Sequence, residues 1–307
     1  MGIFSQDYES AGVGISKNAP KKTGVKLYFD LLFRKFWKIL EVNLLYSIFF
    51  LPFILIGTVI YLVDNLTAAL IISIVLGLVF MLTIGPATAG MTKIMRKFIL
   101  DKHSFIIRDF FKAFKENFKY ASIIGFIDII LLISIFAGLS IYPALAQQSG
   151  SKWFYVPLVI SLSVAIVVLM MNFYLFLMMI ATDLSFKNLL KNSFALAFVE
   201  LKANVITCVV IILALAVMFL LFLFIPPLFY TLILIFPAAF ISFTVCFNSY
   251  PAIQKYVINP YYESIGQINP ELVDFDIDDD EEPIFEDMGG KEKPIEKRKK
   301  GKGKRIS

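Results

Sequence analysis

Residues 66–98 read LTAALIISIVLGLVFMLTIGPATAGMTKIMRKF, an apolar stretch that runs into a Gly-Pro pair and then into a basic segment. The apolar part, 66–85, has the roughly 20 residues that an α-helix needs to cross about 30 Å of hydrocarbon. Lys93, Arg96 and Lys97 follow it. Positive residues beside a span stay on the cytoplasmic side, so the stretch predicts a transmembrane helix that ends in the cytoplasm.

The rest of the chain has the same character. Of its 307 residues, 58% are hydrophobic and 17% are charged, whereas soluble domains are about 45–50% apolar. Six apolar spans can be identified, at about 39–63, 66–85, 120–142, 155–181, 204–225 and 228–249. Backbone groups find no water in hydrocarbon, so each span must be a helix. The sequence therefore predicts an all-α, polytopic membrane bundle of six transmembrane helices.

The positive charges indicate the orientation. Of the 29 lysine and arginine residues, all except Lys152 lie before span 1, after span 6, or in the loops that follow spans 2 and 4. Short loops that are rich in lysine and arginine stay in the cytoplasm. This asymmetry predicts a multi-pass protein with both termini in the cytoplasm.

The two ends differ from the membrane domain, which we place at residues 26–262. Residues 1–25 are polar and are expected in the cytoplasm. In the tail, 263–307, acidic residues precede basic ones, a composition that cannot bury a core and predicts disorder. The basic block of the tail includes Lys297, Arg298, Lys299 and Lys300. Because no aromatic residues alternate with these charges, we expect contact with anionic lipids and not with nucleic acid; the alternative is a merely solvated tail.

Three amphipathic segments are similar to one another. They are FRKFWKILEVN (33–43), FKAFKENFKYA (111–121) and FALAFVELKAN (194–204). Each precedes a pair of spans, so the order amphipathic helix, span, turn, span occurs three times. Asn43, Ala121 and Asn204 share the last aligned position. The pattern indicates a threefold internal repeat with amphipathic helices on the cytoplasmic side.

The middle segment is clearly amphipathic. Over 105–119, five apolar residues fall on one helical face: Ile107, Phe110, Phe111, Phe114 and Phe118. The opposite face is charged, and its Lys112, Lys115 and Lys119 would contact anionic headgroups if the helix lies in the membrane interface. The alternative is a helix whose apolar face packs against its own bundle.

Gly85 and Pro86 lie at the end of span 2. Proline lacks an N–H group and disfavours helical geometry in the residue before it. A helix break or kink is therefore expected near the cytoplasmic end of this span. Broken helices can expose backbone groups to a substrate; the alternative is a kink that serves only packing.

The stretches IGPATAGMTKIMRKF (84–98) and RDFFKAFKENFKYA (108–121) resemble the YesL-like family of bacterial integral membrane proteins, domain of unknown function 624. The resemblance covers roughly residues 26–200, and the third repeat and the tail depart from it. It implies the cell membrane of a Gram-positive bacterium and a link to carbohydrate uptake, because family members are often encoded beside carbohydrate-uptake genes. No activity is established for the family, so the resemblance implies no catalytic residue.

Two polar side chains inside predicted spans are candidates for function. Asp128 is about eight residues into span 3, and Asn172 lies in span 4. Asp128 could bind a cation or a proton, or it could have a structural role, protonated or paired with a neighbouring helix. No lysine, arginine or histidine lies deep in a span as its partner.

The sequence contains no signature of an enzyme. His103 is the only histidine, which excludes a multi-histidine metal site within one chain. The Gly-rich phosphate loop and the nucleophile elbow are missing, and the two cysteines suit apolar packing. We therefore expect no catalytic site, no cofactor and no metal.

Two functions remain. The leading hypothesis is an accessory or assembly protein linked to carbohydrate uptake, with the lipid bilayer and a membrane protein such as a solute-uptake system as partners. The alternative is a transporter or channel subunit in which Asp128 and the break at Gly85 and Pro86 line a path. A transporter requires Asp128 and Asn172 to face a hydrated cavity, whereas a scaffold would bury them in dry contacts.

Overall fold

The structure, a computed structural model, describes residues 22–273. The first 21 residues and the chain from residue 274 onward, with the basic block of the tail, lie outside the described residues. Gly24–Gln267 form one unit, and the fold is described for this unit. A short helix, Pro270–Val273, belongs to the flanking part of the chain.

Helices make up most of the described chain, and no strand occurs between residues 22 and 273. The helices of the main unit are α1 (Gly24–Ser47), α2 (Leu51–Leu62), α3 (Leu66–Ile99), α4 (Ile106–Glu116), α5 (Phe118–Ser149), α6 (Tyr155–Ala181), α7 (Phe186–Val199), α8 (Leu201–Phe224), α9 (Pro226–Ile235), α10 (Pro237–Ile253) and α11 (Asn259–Ser264). Short turns of 3₁₀-helix at Ile48–Phe50 and Lys152–Phe154 precede α2 and α6, and a π-helical turn at Gln254–Ile258 joins α10 to α11.

Five helical segments are long and apolar enough to cross a membrane. They are Gly24–Leu62, Leu66–Ile99, Phe118–Ser149, Lys152–Ala181 and Leu201–Phe224. A sixth candidate is a pair of segments bent by 51°, Pro226–Ile235 and Pro237–Ser264. Counted as one span, this pair brings the number within the described residues to the predicted six. The prediction of an all-α, polytopic membrane bundle is confirmed.

The last span differs from the prediction. The sequence predicts one helix over 228–249, whereas the structure separates α9 from α10 at Phe236, which has φ −130° and ψ −50°. Pro237 explains the break, because proline cannot donate the hydrogen bond that would continue α9 and disfavours helical geometry in the residue before it.

Asn43 of α1 bridges this break. Its Nδ2 donates a hydrogen bond of 2.8 Å to the carbonyl oxygen of Leu234, and its Oδ1 accepts one of 2.8 Å from the backbone N–H of Ala239. Asn43 is fully buried. One side chain therefore bonds to a carbonyl of α9, which the Ser47 hydroxyl also contacts at 2.8 Å, and to an N–H of α10.

Of the predicted break or kink at Gly85 and Pro86, the break is wrong, because α3 continues through both residues; the kink stays a prediction. Proline removes the hydrogen bond that residue 86 would donate to the carbonyl oxygen of Leu82, four residues earlier. Ser122 of α5 provides another donor, since its hydroxyl lies 2.8 Å from the Leu82 oxygen. A neighbouring helix thus supplies the hydrogen bond whose loss would favour a break.

α3 and α5 approach each other closely at this point. A Cβ atom on Gly85 would overlap the carbonyl oxygen of Ala121, and one on Gly125 would lie 2.8 Å from the Cα of Gly85. Glycine is required at both positions because no side-chain atom fits between the two backbones. The contact fixes the height of α5 relative to α3.

The three repeats are arranged around three mutually contacting helices. The first repeat comprises α1–α3, the second α4–α6 and the third α7–α10. The last long helices of the three repeats, α3, α6 and α10, contact one another. α1 packs against α3 and α10, α5 packs against α3 and α6, and α8 packs against α10. The contact of α1 with α10 joins the first repeat to the third.

The last aligned position of the repeat has the same role in each copy. Asn43, Ala121 and Asn204 are all fully buried. Each contacts the preceding repeat: Asn43 bridges α9 and α10, and Ala121 lies against Gly85 of α3. Asn204 accepts a hydrogen bond of 2.6 Å from the hydroxyl of Tyr174 in α6. Two of these contacts are polar, and the one between α3 and α5 is a close backbone contact.

The amphipathic helix α4 packs in part against its own bundle. Phe110 is fully buried and covers Gly90 of α3, where an added Cβ would lie 2.9 Å from the carbonyl oxygen of Phe110. Ile107 and Phe111 of the predicted apolar face remain 63% and 38% exposed. Its charged residues Lys112 and Lys115, with Lys119 of α5, are also exposed. Contact of these lysines with anionic lipids stays a prediction.

Candidate functional site

A cavity of about 430 Å³ lies among the helices of the bundle. Its wall is formed by residues of α1, α3, α5, α6, α8 and α10 and by Phe50. Both polar residues that the sequence singles out, Asp128 and Asn172, belong to this wall, as does Gly85. The three predicted candidates therefore meet at one site, although no helix break takes part in it.

Asp128 and Asn172 form a hydrogen-bonded pair across two helices. The Nδ2 atom of Asn172 in α6 donates to Oδ1 of Asp128 in α5 over 2.8 Å. Asp128 is ten residues after Phe118, the first residue of α5, and 21 before Ser149, its last. At about 1.5 Å per residue, the carboxylate lies roughly 15 Å from one end of the helix and roughly 32 Å from the other.

Each side chain of this pair has one oxygen atom that accepts no hydrogen bond from a described residue. The Oδ1 atom of Asn172 is buried and has no hydrogen-bond partner within residues 22–273. Oδ2 of Asp128 makes no hydrogen bond to a described residue either. The orientation of the amide follows from its partner: an ionised carboxylate accepts from Nδ2, whereas a protonated one would donate to Oδ1 of a flipped amide.

A second polar pair, Tyr46 and Thr88, lies in the same wall. The Tyr46 hydroxyl is 3.1 Å from Oγ1 of Thr88, and Thr88 also donates to the carbonyl oxygen of Ile84 over 2.9 Å. Because a threonine hydroxyl has one proton, Thr88 accepts from Tyr46. The sequence did not single out Tyr46 or Thr88; the only available signal was the position of Thr88 in the segment that follows Gly85 and Pro86.

The charged groups among the described lining residues are of one sign, which is negative. Asp128 is the only aspartate or glutamate among the lining residues, and none of them is lysine, arginine or histidine. Most of the remaining wall is aliphatic or aromatic, with the rings of Phe50, Phe80, Phe173 and Phe176. A carboxylate in such a wall has the Asn172 amide as its hydrogen-bond donor and no cation beside it.

The contact of α3 with α5 positions the carboxylate. Gly85 and Gly125 let the two backbones meet, and Asp128 lies one turn beyond Gly125 on α5. Ser122, one turn before Gly125, bonds to α3 through the carbonyl oxygen of Leu82. Both contacts hold α5 against α3, and Asp128 and Thr88 of these two helices line the same cavity.

The end of the bundle nearer Asp128 carries ion pairs in the connection between α3 and α4. Asp109 accepts from Nζ of Lys97 over 2.7 Å and from the backbone N–H of Phe105 over 2.9 Å. Burial raises the pKa of Asp109, but these hydrogen bonds outweigh it and leave that pKa below the ordinary value. Asp101 binds Arg34 at 2.9 Å and Lys35 at 2.8 Å, which ties α1 to the same connection.

The described residues contain no cluster of three or more histidine, cysteine, aspartate or glutamate side chains that could hold a metal ion. Both cysteines are free; Cys246 is buried and lines the cavity, and Cys208 is partly exposed on α8. The chemistry that the site offers is therefore that of one carboxylate, one amide and several hydroxyls in an apolar wall.

Residues 65–139 match the model of a family described as protein of unknown function, DUF624. This match confirms the resemblance to the YesL-like family over α3, α4 and the first two thirds of α5. The matched segment contains Gly85, Pro86, Ser122 and Asp128, which form the contact between α3 and α5 and one wall of the cavity. No curated protein and no solved structure matches the chain significantly.

Proposed function

We propose that this membrane protein is a transporter or channel subunit whose central cavity holds a small solute or ion on its path across the bilayer. The observation that carries the proposal is the Asp128–Asn172 pair, which lines a cavity of about 430 Å³ and in which Oδ2 of Asp128 is engaged by no described residue. The proposed role includes no catalytic step.

The physical reason is the cost of polar groups in hydrocarbon. An unpaired polar atom in an apolar environment costs roughly 1–3 kcal/mol in proteins, so dry contacts between helices pair such atoms or avoid them. Here Oδ2 of Asp128, a residue of the cavity wall, accepts no hydrogen bond from a described residue. A site that receives water or a ligand supplies the missing partners, which is the property expected of a transport path.

The proposed location is a bacterial cell membrane, with both termini and the amphipathic helices in the cytoplasm. The asymmetry of the positive charges supports this orientation. Trp153, 80% exposed at the opposite end between α5 and α6, fits the aromatic belt of the other interface. In this orientation the cavity lies in the cytoplasmic half of the bundle.

A second candidate function is the accessory role in carbohydrate uptake. The observation that favours it is the surface of α8, whose most apolar window is only 6% buried inside the chain. This long apolar face is available to lipid or to the spans of a partner such as a solute-uptake system. Identification of proteins that copurify in mild detergent tests this role: uptake components should copurify, and should be lost when α8 residues such as Leu213 and Leu220 are replaced by tryptophan.

Water access tests the transport proposal. In a background with Cys208→Ser and Cys246→Ser, Ser242→Cys places a thiol in the cavity wall. A small charged methanethiosulfonate should modify it in membrane vesicles, because thiolates form only in contact with water. Ser134→Cys is the matched control, since Ser134 lies on the exposed surface of the same bundle and outside the cavity.

The two outcomes are distinct. Reaction of Ser242→Cys with protection of Ser134→Cys supports a hydrated cavity. Equal lack of reaction at both positions, from either face of the membrane, would mean that the cavity is dry and would leave the accessory role as the better account.

A further inference from the structure

We propose that the ligand of the cavity is a lipophilic monovalent cation, that is, a protonated amine or an onium ion that carries apolar groups. The inference rests on the proposed function and names the chemical class of its ligand. It follows from the charge, the acceptors, the wall and the opening of the cavity.

The charge of the wall favours a single positive charge. Among the described residues that line the cavity, Asp128 is the only acidic one and none is basic. An anion would meet this carboxylate without any compensating cation, which is unfavourable in a medium of low dielectric constant. A monovalent cation would neutralise the carboxylate, and a second positive charge would stay unpaired.

The polar atoms at the carboxylate are mainly acceptors. Oδ2 of Asp128 accepts no hydrogen bond from a described residue, whereas Oδ1 of Asn172 is buried and is not counted as an acceptor for the ligand. The nearby Tyr46 hydroxyl already donates its proton to Thr88 and keeps only its oxygen lone pairs. A ligand that donates hydrogen bonds or carries a positive charge fits this arrangement, and a ligand that only accepts does not.

The remaining wall fits an apolar body. The rings of Phe50, Phe80, Phe173 and Phe176 surround the cavity, and aromatic faces attract desolvated cations. A hydroxyl-rich solute such as a sugar needs many donors and acceptors, which this wall lacks. An inorganic divalent cation is also disfavoured, since Ca²⁺ takes about 6–8 oxygen ligands and one carboxylate with one amide offers far fewer.

The cavity reaches the lipid-facing surface. Leu132 of α5 and Leu169 of α6 both line it and are 50% and 45% exposed. These residues lie on the two helices that carry Asp128 and Asn172. An amphiphilic cation dissolved in the bilayer can therefore approach the carboxylate between α5 and α6 without passing through the aqueous ends of the bundle.

Tetraphenylphosphonium and tetraphenylborate provide the test, because the two ions have nearly the same shape and opposite charge. Binding is measured by isothermal titration calorimetry with the full chain in nanodiscs of zwitterionic lipid, and the heat of empty nanodiscs is subtracted. We expect saturable binding of tetraphenylphosphonium, one ion per chain, and no saturable binding of tetraphenylborate.

Variants assign the binding to the carboxylate. Asp128→Asn should weaken binding of tetraphenylphosphonium at least about tenfold, and Asp128→Glu, which keeps the charge, should retain most of it. Asp183→Asn is the matched control, because it removes the same charge from an exposed position after α6 and should leave binding unchanged. Elution of each variant as a monodisperse peak establishes that it is folded. If Asp128→Asn aggregates, Asn172→Ala replaces it in the binding measurement. This variant removes the amide that bonds to the carboxylate and should also weaken binding.

The outcomes separate this inference from the proposed function. Equal binding of both ions, or full binding of tetraphenylphosphonium by Asp128→Asn, would overturn the cationic ligand class. If neither ion binds, the cationic ligand class is overturned too. In each case the reaction of Ser242→Cys decides independently whether the cavity is hydrated and the transport proposal stands.

Discussion

The hydroxyl of Ser122 in α5 donates a hydrogen bond of 2.8 Å to the carbonyl oxygen of Leu82 in α3, the oxygen that Pro86 leaves without its helical donor. Forty residues separate the two partners along the chain. The bond pairs the orphaned carbonyl and joins α5 to α3 one turn before Gly125, on the helix that carries Asp128.

Ser122→Ala should destabilise the protein by about 1–3 kcal/mol, because it leaves the Leu82 carbonyl unpaired in a partly buried position within an apolar span. Unfolding in mixed micelles with increasing SDS measures the change. The matched control is Ser134→Ala, also in α5, whose exposed hydroxyl bonds only to its own helix at Ile130 and whose loss should have little effect.

Pro86→Ala tests the reason for this effect. Alanine restores an N–H at residue 86 that can bond to Leu82, so Ser122→Ala should cost less in the Pro86→Ala background than in the wild type. An equal cost in both backgrounds would show that Ser122 does not compensate for the proline.

Gly85→Ala should also be destabilising, by about 1–3 kcal/mol, because the added Cβ would overlap the carbonyl oxygen of Ala121 and push α5 away from α3. Gly57→Ala provides the comparison, since nothing lies within 4 Å of a Cβ at that position. In a helix it should be neutral or stabilising. If both variants shifted the unfolding midpoint in the same direction relative to the wild type, the close-contact explanation would be contradicted.

Asn43→Leu should destabilise the broken last span. Leucine fills a similar volume but leaves the Ala239 N–H unpaired, at about 1–3 kcal/mol for a buried group, and leaves Ser47 as the donor to the Leu234 carbonyl. Ser47→Ala removes only a second, exposed donor to the same Leu234 oxygen and should cost less. Hydrogen exchange at Ala239 should accelerate in Asn43→Leu and stay slow in Ser47→Ala.

Asp109 should make stability depend on acid pH. The pKa of Asp109 is lower in the folded protein than the ordinary value of about 3.9. Ionised Asp109 therefore adds to the free energy of unfolding. This contribution is complete above the pKa of the unfolded state and is lost as pH falls through the pKa of the folded state. Asp109→Asn should therefore be less stable than the wild type at neutral pH, and the difference should shrink below about pH 4. A difference that stays constant down to pH 2 would assign the effect to packing alone.

The orientation can be tested with single cysteines in the background that lacks Cys208 and Cys246. Lys102→Cys should be protected from an impermeant thiol reagent in intact cells, whereas Ser149→Cys should react. Reaction of Lys102→Cys together with protection of Ser149→Cys would invert the proposed orientation.

Much of the candidate site lay beyond prediction from the sequence. Asp128 and Asn172 could each be singled out, because a polar side chain in an apolar span stands out by composition. Their contact could not, since 44 residues separate them and only the packing of α5 on α6 makes them neighbours. Tyr46 and Thr88 look unremarkable in the chain and become site residues only because α1 and α3 face the same cavity.

The sequence alone was enough to predict an all-α membrane bundle, because the length of an apolar stretch and the need to satisfy backbone groups in hydrocarbon act locally. Tertiary contacts pair the backbone groups that prolines leave without a partner. Ser122 reaches the carbonyl that Pro86 orphans, and Asn43 bridges from α1 the break before Pro237. Both contacts come from a distant part of the chain, and local propensity contains no information about which helix will supply them.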